Sequence, residues 1–315
     1  MKEIDVLCVG MCCVDVLIRG VDLHTPFTEE SKRADMTVLS VGGDALNEAR
    51  VLARLGDKVI LQTAVGEDTS AALIREEVAS SGVDISGITV GMESTPMNIV
   101  IVAPDGQRNF INTGRFSFAD YEPDLSLVEK ARIVSMGSMM VPPLHHPELA
   151  AAIAKKAKES GAIVCADCGR GSDGLTLEDY AETLKNLDYI FPNLDEALSL
   201  TGATTVQQAA ECLYHYGVKN VVIKTGKHGC YLLNAEGGIE IPTYNHLPVV
   251  DTTGAGDNFA AGTIHAILEG RTPAEACRFG NGVASVAIQV MGASTGVKSL
   301  AQVEAAIARY EQGLV

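Results

Sequence analysis

The sequence predicts an α/β fold, a central and mostly parallel sheet sandwiched by helices with a small β-sheet lid. Three observations predict it. Short β-branched apolar runs alternate with longer runs of helical period, the pattern of parallel strands joined by crossover helices. Two stretches, 14–41 and 88–118, break that alternation with strand-like, polar sequence and cannot be crossover connections of the same sheet. A glycine-rich turn, Asp251-Thr252-Thr253-Gly254-Ala255-Gly256-Asp257, joins the strand-like run 248–250 to a helix, the place where open α/β sheets expose backbone amides.

The elements follow in order. Residues 4–9 read as the first strand. A helix over 44–55 carries Leu46, Ala49, Leu52, Ala53 and Leu55 at helical spacing and stops at Gly56. Then come a strand over 59–64, a helix over 69–80, a strand over 133–136, a helix over 149–160 and a strand over 163–166. A helix over 177–187, a strand over 189–191, helices over 194–200 and 206–216 and a strand over 221–223 continue the alternation. A β-rich piece follows at 230–233 and 238–242, and the end is helical over 255–269, 273–291 and 300–310. No linker rich in Pro, Ser or Gly divides the 315 residues, so one domain over 1–315, with the lid inserted from about 14–41 and 88–118, is the economical organisation.

Charge and cysteine content exclude several classes. With 24 Lys+Arg against 40 Asp+Glu the net charge is -16, which repels nucleic-acid phosphates and anionic membrane surfaces. No apolar stretch reaches the ~18–20 residues that cross a bilayer, and Met1-Lys2-Glu3-Ile4-Asp5 lacks the start of a secretion signal, so a cytoplasmic protein is expected. Eight cysteines are too few for a disulfide scaffold, and Cys8, Cys12, Cys13, Cys212 and Cys277 fall in apolar runs where a thiol packs as a small hydrophobe. Cys165-Ala166-Asp167-Cys168 has no second pair at zinc spacing, and His145-His146 beside Pro142, Pro143 and Pro147 reads as a solvated loop.

Glycines at the start of a helix leave N–H groups open to an anion. An aspartate there would repel a bound phosphate, so Asp257 makes sense as a base that takes a proton from an attacking hydroxyl while the amides of Gly254, Ala255 and Gly256 hold the transferring phosphoryl. A plain helix cap is the competing role for Asp257.

Asp251 to Asp257 resembles the D-T-x-G-A-G-D signature of the ribokinase-like, or PfkB, carbohydrate kinases. The second signature of that family is matched by Gly42-Gly43-Asp44-Ala45-Leu46-Asn47, running on to Ala53-Arg54-Leu55-Gly56 and Val65-Gly66-Glu67-Asp68. The ordered motifs span essentially the whole chain. The resemblance implies an ATP-dependent kinase acting on a sugar hydroxyl, with Asp257 as base and Gly254 to Gly256 as anion hole. It implies that Asp15, Gly42, Gly43 and Asn47 bind substrate hydroxyls. On the nucleotide side Pro192-Asn193-Leu194-Asp195-Glu196 is similar to the family's N-x-x-E, with Asn193 on phosphates and Glu196 on magnesium through water. Lys224-Thr225-Gly226-Lys227-His228-Gly229 resembles the loop that lines the adenine-nucleotide pocket, which brings in Lys224, Gly226 and Gly229. A monovalent cation site, for potassium, is implied at Asp251, Thr253, Ala287, Val290 and Gly292. A homodimer through the lid is the expected assembly, since a small isolated sheet leaves edges and an apolar face uncovered.

Two departures concern the acceptor. Ser138-Met139-Met140 stands where ribokinases carry a substrate-contacting Glu, which points to an apolar contact. Asp167-Cys168-Gly169-Arg170 departs from the D-x-N-x-R of several ketose and sugar-acid kinases. A pentose, hexose or related neutral sugar is expected, because an anionic acceptor needs a cation from Arg108, Arg115 or Arg170. The alternative is a nucleoside kinase, with Phe116 and Phe118 as candidates for holding a base. No G-x-x-x-x-G-K-[ST], no G-x-G-x-x-G after the first strand and no G-x-S-x-G offers another nucleotide or hydrolase chemistry.

Overall fold

The computed structural model describes residues 2–21, 32–102, 108–112, 121–169 and 174–314. Arg115, Phe116, Phe118 and Arg170 lie outside the described residues. Among the described residues a nine-stranded sheet is built from β1 (Ile4–Val9), β4 (Val59–Val65), β5 (Ile88–Val90), β8 (Ala131–Met139), β9 (Ile163–Cys168), β10 (Tyr189–Ile190), β11 (Asn220–Lys224), β12 (Cys230–Asn234) and β13 (Gly237–Ile241), in the order β13-β12-β11-β10-β9-β8-β1-β4-β5. From β11 to β5 every pairing is parallel, and β12 and β13 close one edge antiparallel. Strands buried on both faces must be apolar on both. Val6 and Cys8 of β1 enter one core, with α1 (Asp44–Leu55), α2 (Thr69–Ala79), α8 (Ala255–Leu268), α9 (Pro273–Ala287) and α10 (Leu300–Tyr310). Leu7 and Val9 enter the other, with α3 (Leu125–Lys130), α4 (Pro147–Glu159), α5 (Ala181–Leu184), α6 (Leu194–Thr201) and α7 (Val206–His215).

The same alternation separates Cys165 from Cys168. One lies in each core, on opposite faces of β9, and both are free thiols, so the C-x-x-C spacing makes no pair here. A second, four-stranded sheet has the order β3-β2-β6-β7, from β2 (Cys13–Arg19), β3 (Met36–Gly42), β6 (Met97–Val102) and β7 (Arg108–Asn112).

Several details differ from expectation. β5, counted with the lid in the sequence, pairs in parallel with β4 at the edge of the large sheet. The helix expected over 177–187 is only the four-residue α5, because Asp179 accepts from the backbone N and hydroxyl of Thr176 and fixes a turn before it. The helix expected over 273–291 ends at Ala287, where the Val290 amide turns back to the Ala287 carbonyl and the Ile288 carbonyl takes the amides of Val250 and Asp251. The strand-like run 248–250 is loop, with Val249 and Val250 exposed. α3 was not expected; Asp124 caps it by accepting from Ser126 N. His145 is half-buried rather than solvated, with its ring 3.8 Å from that of His146.

After β1 the chain passes through the small sheet and α1 to β4 on one side, and later returns to β8 on the other. Strand order reverses at β1, and the crevice outside the carboxyl ends of strands at such a switch point is where open α/β sheets bind ligands. Two glycines admit a helix to it. A Cβ on Gly10 would lie 2.6 Å from the Gly137 carbonyl oxygen, and one on Gly137 would lie 2.6 Å from Ala45 N, so both bare positions let the first turn of α1 press onto the strand ends.

Candidate active site

Two helices open onto this crevice without side-chain caps. Gly43 (φ 101°) precedes α1 and Gly254 (φ 70°) precedes α8; neither has a side chain, and each takes a left-handed conformation that glycine adopts without strain. The Ala255 amide closes a turn onto the Thr252 carbonyl at 3.2 Å, and the other first-turn amides, with no side-chain cap, remain available to an anion. α6 differs, for Asn193 Oδ1 accepts from Glu196 N (2.9 Å) and Glu196 Oε2 accepts from Asn193 N (2.8 Å). Asn193 and Glu196 thus form a capping box instead of standing as two neighbours on one helix face.

Asp257 does not cap α8. It lies inside the first turn, 8% exposed, where Asn47 Nδ2 of α1 donates to its Oδ2 at 2.7 Å. Burial, then repulsion from Asp44 and Asp167, hold its carboxyl well above the usual carboxylate range, against the hydrogen bond from Asn47 and the charge of Lys224. Asp44, in the first turn of α1, is raised to about 6 by burial and by Asp167, and Glu196 is raised to about 7 by the same two causes.

Lys224, expected in the loop beside adenine, turns its side chain elsewhere. Its Nζ donates to Asp167 Oδ2 at 2.5 Å, and a Cβ on Gly256 would lie 3.0 Å from that Nζ. The ammonium therefore stands beside the glycine amides at the head of α8. Gly226 and Gly229 bracket a short 3-10 turn, and the Thr225 amide closes it onto the Gly229 carbonyl at 2.8 Å.

Asp15 lies on β2 of the small sheet. Its Oδ1 accepts from Asn98 Nδ2 (3.1 Å) and the Cys13 thiol (3.6 Å), while a Cβ on Gly42 would overlap its Oδ2. Gly42 is thus the bare position that leaves room for this carboxylate, which burial raises above its ordinary value. At the end of β8, Ser138 (φ 57°) and Met140 (φ 75°) hold left-handed conformations unusual for residues with side chains, the kind of strain that collects at functional sites. Met139 and Met140 are fully buried in the core, so the apolar contact expected from their side chains is not available to a ligand.

The two halves of the expected cation site meet. Asp251 Oδ1 accepts from Thr253 N (2.9 Å) and Oγ1 (2.7 Å), and Oδ2 accepts from Gly292 N (3.0 Å), joining the turn before α8 to the turn after α9. Ala287 and Val290 lie in that second turn, where the Val290 amide bonds the Ala287 carbonyl.

Sequence reasoning passed over Glu48. It sits one residue after Asn47, fully buried, and accepts from Ser135 Oγ at 2.6 Å across 87 positions of sequence. Burial, then Asp167, raise its carboxyl to about 8, offset in part by the Ser135 hydroxyl. A folded-state value above the unfolded one means stability that is present at low pH and lost as pH rises through about 8. Glu48→Gln is therefore expected to gain in Tm relative to the native chain between pH 5 and pH 8.5, by several degrees. A Tm difference that stays constant over that range would show that Glu48 ionises normally.

A family model described as pfkB family carbohydrate kinase matches residues 3–300. Ribokinase of Arabidopsis thaliana is 31% identical over 266 residues, covering 80% of this chain and 68% of that protein. A nucleoside kinase of Methanothermobacter thermautotrophicus is 29% identical over 300 residues, covering 94% and 93%. The solved structure of Arabidopsis thaliana ribokinase complexed with ribose and ATP superposes with a TM-score of 0.82 at 27% identity, over 96% of this chain and 98% of that one.

Proposed function

The chain belongs to the pfkB family of carbohydrate kinases, phosphotransferases with an alcohol group as acceptor, and from that premise we propose that it transfers the γ-phosphoryl of ATP to a primary hydroxyl of a neutral pentose, hexose or related sugar. One observation carries the reading: a buried carboxylate, Asp257, is fixed by Asn47 at the uncapped glycine-rich start of α8.

In this reading Asp15, Gly42, Gly43 and Asn47 hold the sugar. Asp15 Oδ1 is already engaged by Asn98, which leaves Oδ2 to accept from a hydroxyl. Asp257 takes the proton of the attacking hydroxyl, the sugar oxygen bonds to the γ phosphorus, and ADP leaves with the electrons of the broken bond. The amides of Gly254, Ala255 and Gly256 receive the charge on the transferring oxygens. Asn193, Glu196, Lys224, Gly226 and Gly229 serve the nucleotide.

The crowded carboxylates Asp44, Glu196 and Asp257 suit a divalent cation, since part of what raises each is repulsion from a neighbouring carboxylate. In this reading Glu196 would hold magnesium through water, since magnesium keeps several of its own waters. Magnesium, when bound, neutralises the β and γ oxygens. The Asp251 carboxylate between Thr253 and Gly292, with the backbone oxygens of Ala287, Val290 and Gly292, is an all-oxygen set suited to potassium.

ADP release measured with ribose, fructose, a keto-deoxy sugar acid and adenosine, at fixed ATP, tests the assignment. The neutral sugars are expected to give the highest kcat/KM, magnesium to be obligatory and potassium to raise the rate over sodium or a large organic cation. Preference for the sugar acid would sink the neutral-sugar reading. Preference for adenosine would select the second reading, a nucleoside kinase, which one observation favours. On the Asp15 face of the small sheet the next row is apolar, with Leu17 between Val38 and Val100, a surface suited to a base.

The opposite face of that sheet carries Val16, Ile18, Leu39, Ile99, Ile101 and Ile111, with Leu39 60% and Ile111 53% exposed. We assign it to a homodimer, because monomers seldom leave such a surface open. Light scattering is expected to give twice the 33.2 kDa chain mass, and a value near 33.2 kDa at working concentration would refute the dimer. Eight free cysteines suit a reducing compartment, which supports a cytoplasmic protein, and among the described residues no helix is long and apolar enough to cross a membrane.

A further inference from the structure

Asp167 and Lys224 stand 57 residues apart in sequence and meet at the centre of the crevice. Asp167 comes from β9 and Lys224 is the last residue of β11, its amide donating to the Pro192 carbonyl (2.9 Å) just before α6. Their side chains are 3% and 13% exposed. Both oxygens of Asp167 are engaged, Oδ1 by Cys168 N (2.7 Å) and Oδ2 by Lys224 Nζ (2.5 Å). A carboxylate bonded in this way is poorly placed to ligate a metal or take a substrate proton. What it does is hold the ammonium.

The ammonium is held in a particular place. Lys224 Nζ, Cε and Cδ lie 3.0, 3.6 and 3.7 Å from where a Cβ on Gly256 would be, so the lysine stem runs along the bare backbone of the glycine turn. An ammonium has three donors, and one goes to Asp167. Two remain beside the amides at the start of α8.

Resting on the kinase reading above, we propose that Lys224 is a catalytic residue whose ammonium joins the α8 amides in binding the transferring phosphoryl, and that Asp167 is the positioning residue that keeps it there. This moves Lys224 from the adenine end of the nucleotide to the reacting end. It also gives Asp167 a role that needs neither substrate contact nor metal. Charge placed before the reaction, in a site that excludes water, costs no reorganisation when the phosphoryl develops its transition-state charge. Asp167 also stops the buried ammonium from shedding its proton, since a lone buried lysine favours the neutral amine.

The test uses the full chain and two nucleotides that differ at the γ position. Titration calorimetry with magnesium is expected to show Lys224→Met weakening AMP-PNP by roughly tenfold or more while ADP changes by less than about threefold. Asp167→Asn is expected to show a smaller loss of the same kind. With the best acceptor of the panel, Lys224→Met should lower kcat by about 10² and leave the acceptor KM within about threefold. Lys224→Met leaves Asp167 as a lone buried charge and can fail to fold, so the double variant Asp167→Asn with Lys224→Met, which buries none, carries the decision. Because Asp167 acts through Lys224, the double variant should keep AMP-PNP affinity and kcat within about threefold of Lys224→Met where that folds, and otherwise show the losses stated for it. Equal losses for AMP-PNP and ADP, no loss for either, or a double variant whose loss is the product of the two single losses would each overturn the proposal. A native chain that binds neither nucleotide overturns the kinase reading together with this one, whereas a native chain that binds AMP-PNP beside unaltered variants overturns this one alone.

Discussion

Asp257→Asn is expected to lose turnover by a factor of ~10² to 10⁴ while binding ATP as before. The amide keeps the shape of the side chain and its acceptor toward Asn47 Nδ2, which lies 2.7 Å from Oδ2, so the contact between α1 and α8 survives. What is lost is the site for the proton. In the native chain, burial and the neighbouring Asp44 and Asp167 raise the carboxyl, so the base is neutral over the ordinary carboxylate range and ionises only above it. The acid limb of kcat against pH is therefore expected well above the usual aspartate value, and the residual rate of the variant should lack that limb. Stability should move the other way. A carboxyl whose folded-state pKa is raised loses stability as pH rises through that value, so the neutral variant should melt no lower than the native chain at pH 8. Turnover within about threefold of native on the best acceptor would remove Asp257 from the role of base.

Some of this site was written locally. Gly254, Ala255, Gly256 and Asp257 are consecutive, so a turn, a helix start with open amides and a candidate base can be read from one heptapeptide. The central strands of the large sheet were legible for a similar reason, because burial on two faces leaves a mostly apolar run in each, as in β1 and β9. Other features depend on partners that no local window contains. The direction of the Lys224 side chain is set by Asp167 on β9, the state of Glu48 by Ser135 on β8, and the orientation of Asp15 by Asn98 on β6. Asn193 and Glu196 illustrate a conflict between two local rules. The spacing N-x-x-E serves a capping box as well as a phosphate and magnesium pair, and in the structure the box takes both side chains. The ends of helices were hardest to place. The apolar pattern at 288–291 continues past α9, but the Ile288 carbonyl is claimed by Val250 and Asp251 rather than by a further helical turn.

Gly254→Ala is expected to lower kcat by about 10² or more, with a smaller effect on folding. Removing one preorganised donor from an anion hole costs a factor of ~10² to 10³, and this substitution disturbs several donors together. The residue sits at φ 70°, where an alanine costs roughly 1–2 kcal/mol of local strain. Strain alone does not affect chemistry, but the added Cβ would overlap the Ala293 carbonyl oxygen and lie 2.8 Å from its carbon. Those are backbone atoms and cannot rotate away. That carbonyl also accepts from Asn258 Nδ2 at 2.6 Å, and the neighbouring Gly292 amide donates to Asp251 at 3.0 Å. Relief of the overlap must therefore move either the first turn of α8, with the amides of Ala255 and Gly256, or the turn that joins Asp251 to Gly292. Gly270→Ala separates the two effects. Gly270 has φ 82° and nothing within 4 Å of its added Cβ, so it suffers the strain without the overlap. The expected pair of results is a small fall in Tm for Gly270→Ala, a somewhat larger one for Gly254→Ala, and a loss of kcat confined to Gly254→Ala. Equal kcat for the two would mean that the start of α8 tolerates displacement, and the amides of Gly254, Ala255 and Gly256 could not then be the anion hole.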